Sequence, residues 1–325
     1  MQDLVTSYQE VFKAYLDEKI TTREPAGLYD PMHYILALGG KRLRPVLTLI
    51  SAAAFGAPKE KALDAALAVE VFHNFTLVHD DIMDGAPLRR GKPTVHHKWD
   101  VNTGILSGDA MLIYAYQLLE SYPESVFKSL MKVFSETARE VCEGQQYDMD
   151  FESRDDVTIP EYLIMITYKT AVLVAAAMKM GAIIAKTSEA NQEHIYAYGK
   201  NLGIAFQLQD DYLDAFGDPK TFGKQVGGDI IENKKTFLYL KAKELDKGER
   251  SMELDQLFSI QPKNPAEKIK QVLEIYRETG AAEATREAIS DYTKRTFEVL
   301  ELMDLESGFK QVLHEFAKNL MNRQV

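Results

Sequence analysis

Apolar residues recur along this chain at helical spacing, and stretches alternating with period two are almost absent. Glycine, proline and polar clusters separate helical stretches near 2–19, 31–38, 42–55, 59–83, 102–121, 124–149, 159–186, 189–216, 234–245, 265–279, 282–303 and 308–322. Thr158-Ile159-Pro160-Glu161 and Asn264-Pro265-Ala266-Glu267 each place a capping residue three positions before a glutamate. Gly280 fits a helix end. The stretches 62–79 and 163–185 are apolar nearly all round, which predicts central helices, whereas the C-terminal helices carry charge on one side. The expected fold is all-α: a helical bundle forming a single domain over residues 1–325.

Composition narrows the function. Hydrophobic residues make up 46% of 325 positions, enough for a core and too many for disorder. The chain holds 38 Lys and Arg against 49 Asp and Glu, and the net −11 argues against a nucleic-acid binder. One cysteine, Cys142, excludes an internal disulfide and a thiolate zinc site, and points to the cytoplasm. Asp3, Glu10, Asp17 and Glu18 do not suit a signal or transit peptide. Lys169 and Lys179 interrupt the apolar run 163–185, which reads as a helix buried in protein rather than a transmembrane segment.

Two acidic clusters carry the chemistry. Asp80-Asp81-Ile82-Met83-Asp84 and Asp210-Asp211-Tyr212-Leu213-Asp214 both have the form D-D-x-x-D after an apolar run. Helical steps of about 100° bring positions i, i+1 and i+4 within one arc. Two like charges about 4 Å apart cost about 4 kcal/mol at an effective dielectric of about 20. A hard divalent cation removes that penalty, and carboxylates without Cys or His partners suit Mg²⁺, with Mn²⁺ as an alternative. Mg²⁺ held this way is usually shared with phosphate oxygens, so a phosphorylated substrate bridging two acidic walls is expected.

Cations stand beside these clusters. Gly39-Gly40-Lys41-Arg42-Leu43-Arg44-Pro45 opens one helix, Arg89-Arg90-Gly91-Lys92 follows the first cluster, and Lys169-Thr170 sits inside an apolar helix. Lys224 and Lys234 flank Gly227-Gly228-Asp229 after the second cluster. Together they suit a polyanion such as diphosphate. His73 lies seven residues before Asp80, near the same azimuth, where it could meet phosphate. His96 and His97 are expected to point apart and make a poor metal pair. G-x-S-x-G and a P-loop are absent, so metal-assisted departure of a leaving group is the expected chemistry.

With GGKRLRP, His73, DDIMDGAPLRRGKPTVH, KT and FQLQDDYLDAFGD in order between Gly39 and Lys234, the chain resembles the trans-isoprenyl diphosphate synthases, or polyprenyl synthetases. The resemblance implies a helical bundle around a deep cavity, a homodimer, and Mg²⁺ on Asp80, Asp81, Asp84, Asp210 and Asp214, with Asp211 in the second motif. It also implies that Arg89, Lys169 and Lys224 contact the diphosphate of an allylic substrate of C5–C15. Thr170 and Gln207 would stabilise the allylic cation, and Lys41, Arg44, His73 and Arg90 would bind isopentenyl diphosphate. Lys234 matches a lysine near the second motif. The implied reaction is head-to-tail 1′-4 condensation.

In that family, bulky residues four and five positions before the first aspartate limit product length. Here these are Thr76 and Phe75, with Phe72 a turn earlier. One aromatic implies a short product, and the lack of a two-residue insertion in the first motif favours C20 over C15. A helical wheel puts Thr76 near the azimuth of Asp80 but Phe75 about 140° away. Three rivals are a class I terpene cyclase, an HD-type phosphohydrolase suggested by His79-Asp80, and a non-catalytic subunit of a heteromeric synthase. The repeated D-D-x-x-D, the scarcity of histidine ligands and the two intact motifs count against them respectively.

Overall fold

The helical spacing of the apolar positions is realised along the chain. The structure, a computed structural model, describes residues 2–218 and 226–321. Helices α1 Gln2–Lys19, α2 Ala26–Ala37, α3 Leu43–Ala54, α4 Leu63–Met83, α5 Val95–Lys98 and α6 Val101–Leu119 come first. They are followed by α7 Glu124–Ser153, α8 Ile159–Ile166, α9 Val172–Ile184 and α10 Glu189–Phe216. Further helices span Gly228–Ile231, Phe237–Leu245, Glu249–Phe258, Ala266–Glu278, Ala281–Leu302 and Ser307–Met321. The all-α expectation holds. The chain divides into two compact units, Met1–Ser135 with Ala176–Ile195, and Glu136–Ala175 with Tyr196–Val325.

In the first unit, α4 packs along α6 and α3. It buries Leu67, Val69, Val71, Phe72, Phe75 and Val78. At roughly 1.5–3 kcal/mol for each such side chain, burial fixes the rod whose end carries the first aspartate cluster. In the second unit, Thr158 and Glu161 form the expected capping box of α8, with Pro160 in the first turn. Gly280 takes φ +81 between two helices, as its position predicts. Asn264 accepts a bond from Ala266 N at 3.2 Å, while the Glu267 side chain accepts from Gln271 instead of closing a box.

Several boundaries differ from expectation. Pro31 lies inside α2 rather than opening it; five residues precede it, and it is buried with Met32, Ile35 and Leu36. Glu249–Phe258 has no place in the sequence reading because only Leu254 and Leu257 are buried, too sparse a stripe to register. The 159–186 helix is broken by a π turn at Thr167–Ala171. A two-residue hairpin pairs β1 Leu88–Arg89 with β2 Lys92–Pro93, antiparallel, with Leu88 opposite Pro93. Its turn residues, Arg90 and Gly91, have φ +53 and +74, the paired positive values of a type I′ turn. The run Ile159–Ile184 is long and apolar enough to cross a membrane, but 56% of its apolar window is buried within the protein, as in a core helix.

Candidate active site

The first acidic motif sits at the C-terminal end of α4, with Asp84 as its C-cap. Carboxylates there oppose the helix dipole, so the cluster requires cations. Arg89 supplies one: its Nε and Nη2 lie 2.8 and 2.6 Å from Asp81 Oδ1. Asp81 is 1% exposed, and its Oδ2 is buried without a hydrogen-bond partner. Asp80 is half-buried and Asp84 exposed. An orphaned carboxylate oxygen in an all-oxygen donor set fits a hard cation such as Mg²⁺. No three Asp, Glu, His or Cys side chains among the described residues are gathered tightly enough to hold a metal. Few protein ligands, completed by water and phosphate, are the usual Mg²⁺ arrangement.

Beside it stands a basic pocket. Arg44 Nη1 lies 3.2 Å from His73 Nε2. Burial, then the charges of Arg44, Arg90, Arg89 and Arg42, hold His73 well below the usual imidazole range, so its ring is neutral and Nε2 accepts from Arg44. Arg44 Nε is buried and unpaired. Arg90 donates from Nη1 to Gly39 O. Gly40 has φ +123, a conformation that favours glycine, and a Cβ there would lie 3.0 Å from the Arg90 guanidinium carbon. Lys41 is exposed, and its carbonyl accepts from Gln9 at 2.7 Å. Arg42 is committed elsewhere: it pairs with Glu70 and donates to Leu36 O from a left-handed backbone at φ 49. Glu70, 2% exposed, also accepts from Asn74 at 3.0 Å.

Upstream on α4, Phe72 is 1% exposed and contacts Phe75 and Phe134 at centroid distances of 5.5 and 5.3 Å. Phe75 meets the His79 ring at 4.8 Å. Thr76 is half-buried and bonds to His73 O at 2.8 Å. His79 Nε2 is 3.1 Å from Ile105 O, and a Cβ on Gly108 would lie 2.2 Å from that nitrogen. His96 and His97 do not point apart: within the single turn of α5 their rings approach to 4.9 Å.

The second unit carries the other motif on α10. Asp211 is 7% exposed; Tyr162 OH donates to its Oδ2 and Gln207 Nε2 to its Oδ1 at 2.9 Å. Burial and then the Asp229 charge push its carboxyl well above the usual range, against those two hydrogen bonds. Thr170 Oγ1 donates to Gln207 Oε1 at 3.3 Å, so the two residues that the resemblance groups together are joined. Asp214 is bound through Oδ2 to Asp229 N at 2.9 Å. Asp210 is half-buried.

Lys169 stands on the π turn, a device that recurs at functional sites. Its Nζ lies 2.5 Å from Asp148 Oδ2. A Cβ on Gly144 of α7 would approach Lys169 N to 2.2 Å, so glycine allows the helices to meet there. Lys234 pairs with Glu232 at 2.9 Å. Burial pulls its ammonium down, but Glu232, Asp229 and Asp148 hold it above the usual lysine range. Lys235 instead binds Phe151 O and Arg154 O at the end of α7. Lys224 lies outside the described residues.

Glu70, Asp148, Tyr162 and Asp229 escaped the sequence reading as site residues. Glu70 had a signal, as a charge in the middle of an apolar helix one turn before His73. Lys169 implied a counter-charge, but nothing local singled out Asp148, 21 residues away.

The family model for polyprenyl synthetase matches residues 25–276. A crystal structure of a geranylgeranyl pyrophosphate synthase, 57% identical, superposes with a TM-score of 0.95 over 99% of both chains. A short chain isoprenyl diphosphate synthase from Methanothermobacter thermautotrophicus is 36% identical over 100% of this chain and 99% of the relative. A polyprenyl synthase from Caulobacter crescentus CB15, solved with calcium and isoprenyl diphosphate, is 30% identical with a TM-score of 0.87, over 99% of this chain and 97% of that one.

Proposed function

The chain belongs to the polyprenyl synthetase family and is a prenyltransferase, and from that premise we propose that it condenses isopentenyl diphosphate with an allylic diphosphate of C5–C15. The product is a short all-trans prenyl diphosphate, C20 in preference to C15, and diphosphate is released. The chain works as one domain over residues 1–325. One observation carries the reading: a neutral His73 meets Arg44 Nη1 while Arg44 Nε is left buried without a partner, and the charges of Arg89 and Arg90 act on the same histidine beside an orphaned Asp81 oxygen. Such a set of groups, with Arg44 Nε and Asp81 Oδ2 unsatisfied, suits a diphosphate and a divalent cation.

Asp80, Asp81, Asp84, Asp210 and Asp214 would hold Mg²⁺, and Asp211 of the second motif is held by Tyr162 and Gln207. When bound, Mg²⁺ supplies positive charge against the departing diphosphate. Arg89, Lys169 and Lys224 grip the allylic diphosphate, and Lys234 adds charge near the second motif. Lys41, Arg44, His73 and Arg90 orient isopentenyl diphosphate so that its double bond meets the allylic carbon. Thr170 and Gln207 turn oxygens toward the developing allylic cation, and the departing diphosphate takes the proton. Phe75, with Thr76, forms the floor for the growing tail, whereas Phe72 packs behind it.

The enzyme acts in the cytoplasm as a homodimer; exposed Ile105, Leu106 and Ile113 along α6 support pairing. The cyclase reading is disfavoured by the assembled Arg44–His73 pocket, which a cyclase would not need. The HD-hydrolase reading is disfavoured because His79 Nε2 faces a backbone carbonyl. Incorporation of labelled isopentenyl diphosphate into a prenyl product tests the proposal.

A further inference from the structure

Lys268, on the helix Ala266–Glu278, is a buried ammonium far in sequence from both acidic motifs. It is 3% exposed. Its Nζ binds Asn233 Oδ1 and, at 2.9 Å, Ile260 O, and it stands 5.6 Å from the Phe258 ring centroid. These contacts solvate the charge with neutral dipoles. Burial pulls the ammonium below the usual lysine range. Burying a cation this way is unfavourable compared with an apolar side chain. An open pocket of about 170 Å³, lined with Ile231, Glu232, Pro262 and Pro265, adjoins the lysine.

What the ammonium holds is specific. Asn233 adopts φ 59, the left-handed conformation, immediately after the short helix Gly228–Ile231. Asn233 N bonds to Ile230 O at 3.3 Å and Lys234 N to Asp229 O at 2.9 Å. That pair of bonds is a Schellman cap with Asn233 at C′ and Lys234 at C″. It ties the backbone of Lys234 to that of Asp229, the residue whose amide binds Asp214 in the second acidic motif. The same helix touches the other end of the segment: a Cβ on Gly227 would meet the Ile269 side chain at 3.0 Å. Asn233 is thus the pin of the segment, and Lys268 holds the pin.

We infer that Lys268 is a positioning residue: through Asn233 it fixes the backbone carrying Asp229 and Lys234, and with it the grip on the allylic diphosphate, without touching substrate. The inference rests on the function proposed above for the second motif.

The test compares wild type with Lys268→Met, Asn233→Gly, Asn233→Asp and the exposed control Lys270→Met. Asn233→Gly keeps the left-handed backbone and removes the acceptor of Lys268 together with the Nδ2 donor that lies 3.5 Å from Ile260 O, whereas Asn233→Asp keeps the backbone and the acceptor and loses only that donor. Hydrogen exchange on the metal-free proteins reads the Asn233 and Lys234 amides. Lys268→Met and Asn233→Gly should each speed exchange there by about 10-fold, the weight of one lost hydrogen bond to a charge, with no further gain in the double variant. Steady-state kinetics should show kcat/KM for the allylic substrate falling by roughly 10-fold or more, with the KM for isopentenyl diphosphate unchanged. Asn233→Asp and Lys270→Met should behave as wild type. Unchanged exchange at both amides in Asn233→Gly overturns the inference, even where Lys268→Met does not fold. So does an equal loss for both substrates. Should wild type itself fail to condense the substrates, the proposed function falls, while the exchange arm still decides the role of Lys268.

Discussion

Arg89 places two nitrogens on a single oxygen of Asp81, at 2.8 and 2.6 Å, and leaves the other oxygen buried without a partner. The arginine therefore orients the carboxylate and only half satisfies it. Replacing Asp81 by Asn keeps the shape and removes the charge that a cation would meet. Activity should fall by about 100-fold or more, with folding retained. Steady-state kinetics and circular dichroism check this, and an Asn variant with wild-type kcat/KM would remove Asp81 from the metal set.

His73 is held neutral in the folded chain by burial and four arginines, whereas an unfolded histidine titrates near pH ~6.5. Below that pH the unfolded state takes up a proton that the folded state does not. Stability contributed by His73 is thus complete above about pH 6.5 and is lost as pH falls below it. His73→Gln should flatten the fall in urea midpoint between about pH 6.5 and 5 by at most one proton's worth of slope. An identical slope in both proteins would place the pH sensitivity elsewhere.

Phe72 and Phe75 touch, yet their variants should differ. Phe72 is enclosed by Phe75 and Phe134, so Phe72→Ala should cost about 3–5 kcal/mol of stability and leave product length alone. Phe75→Ala should lengthen the product beyond that of wild type. Chromatographic sizing of the products decides, and an unchanged distribution for Phe75→Ala would remove it as the floor.

Gly144 has no chemistry of its own, but a methyl group there would drive into the backbone of Lys169 at 2.2 Å. Gly144→Ala should displace the π turn and lower kcat by roughly 10-fold or more, through misplacement rather than loss of a contact. Full activity in this variant would show that the lysine's position on the turn is not critical.

Much of this was legible in the sequence. Helical periodicity and the two D-D-x-x-D clusters gave the fold class and the acidic motifs, because both are set by spacing along one helix. The grouping of Arg44 with His73 came from the family resemblance rather than from spacing. What escaped depends on contacts between distant segments: the Glu70 hold on Arg42, the Tyr162 bond to Asp211 and the Asp148 partner of Lys169. The hairpin at 88–93 escaped because two-residue strands leave no alternation to detect. His96 and His97 misled because a single helical turn lets adjacent rings tilt together.

The most direct measurement supplies the purified protein with Mg²⁺, labelled isopentenyl diphosphate and C5, C10 or C15 allylic diphosphates, and sizes the products by chromatography. Label is expected in an all-trans diphosphate of C20, with C15 the shorter alternative, and no incorporation when Mg²⁺ is chelated. Folded protein that incorporates no label from any primer, or that turns an allylic diphosphate into a cyclic hydrocarbon without isopentenyl diphosphate, would contradict the proposed function.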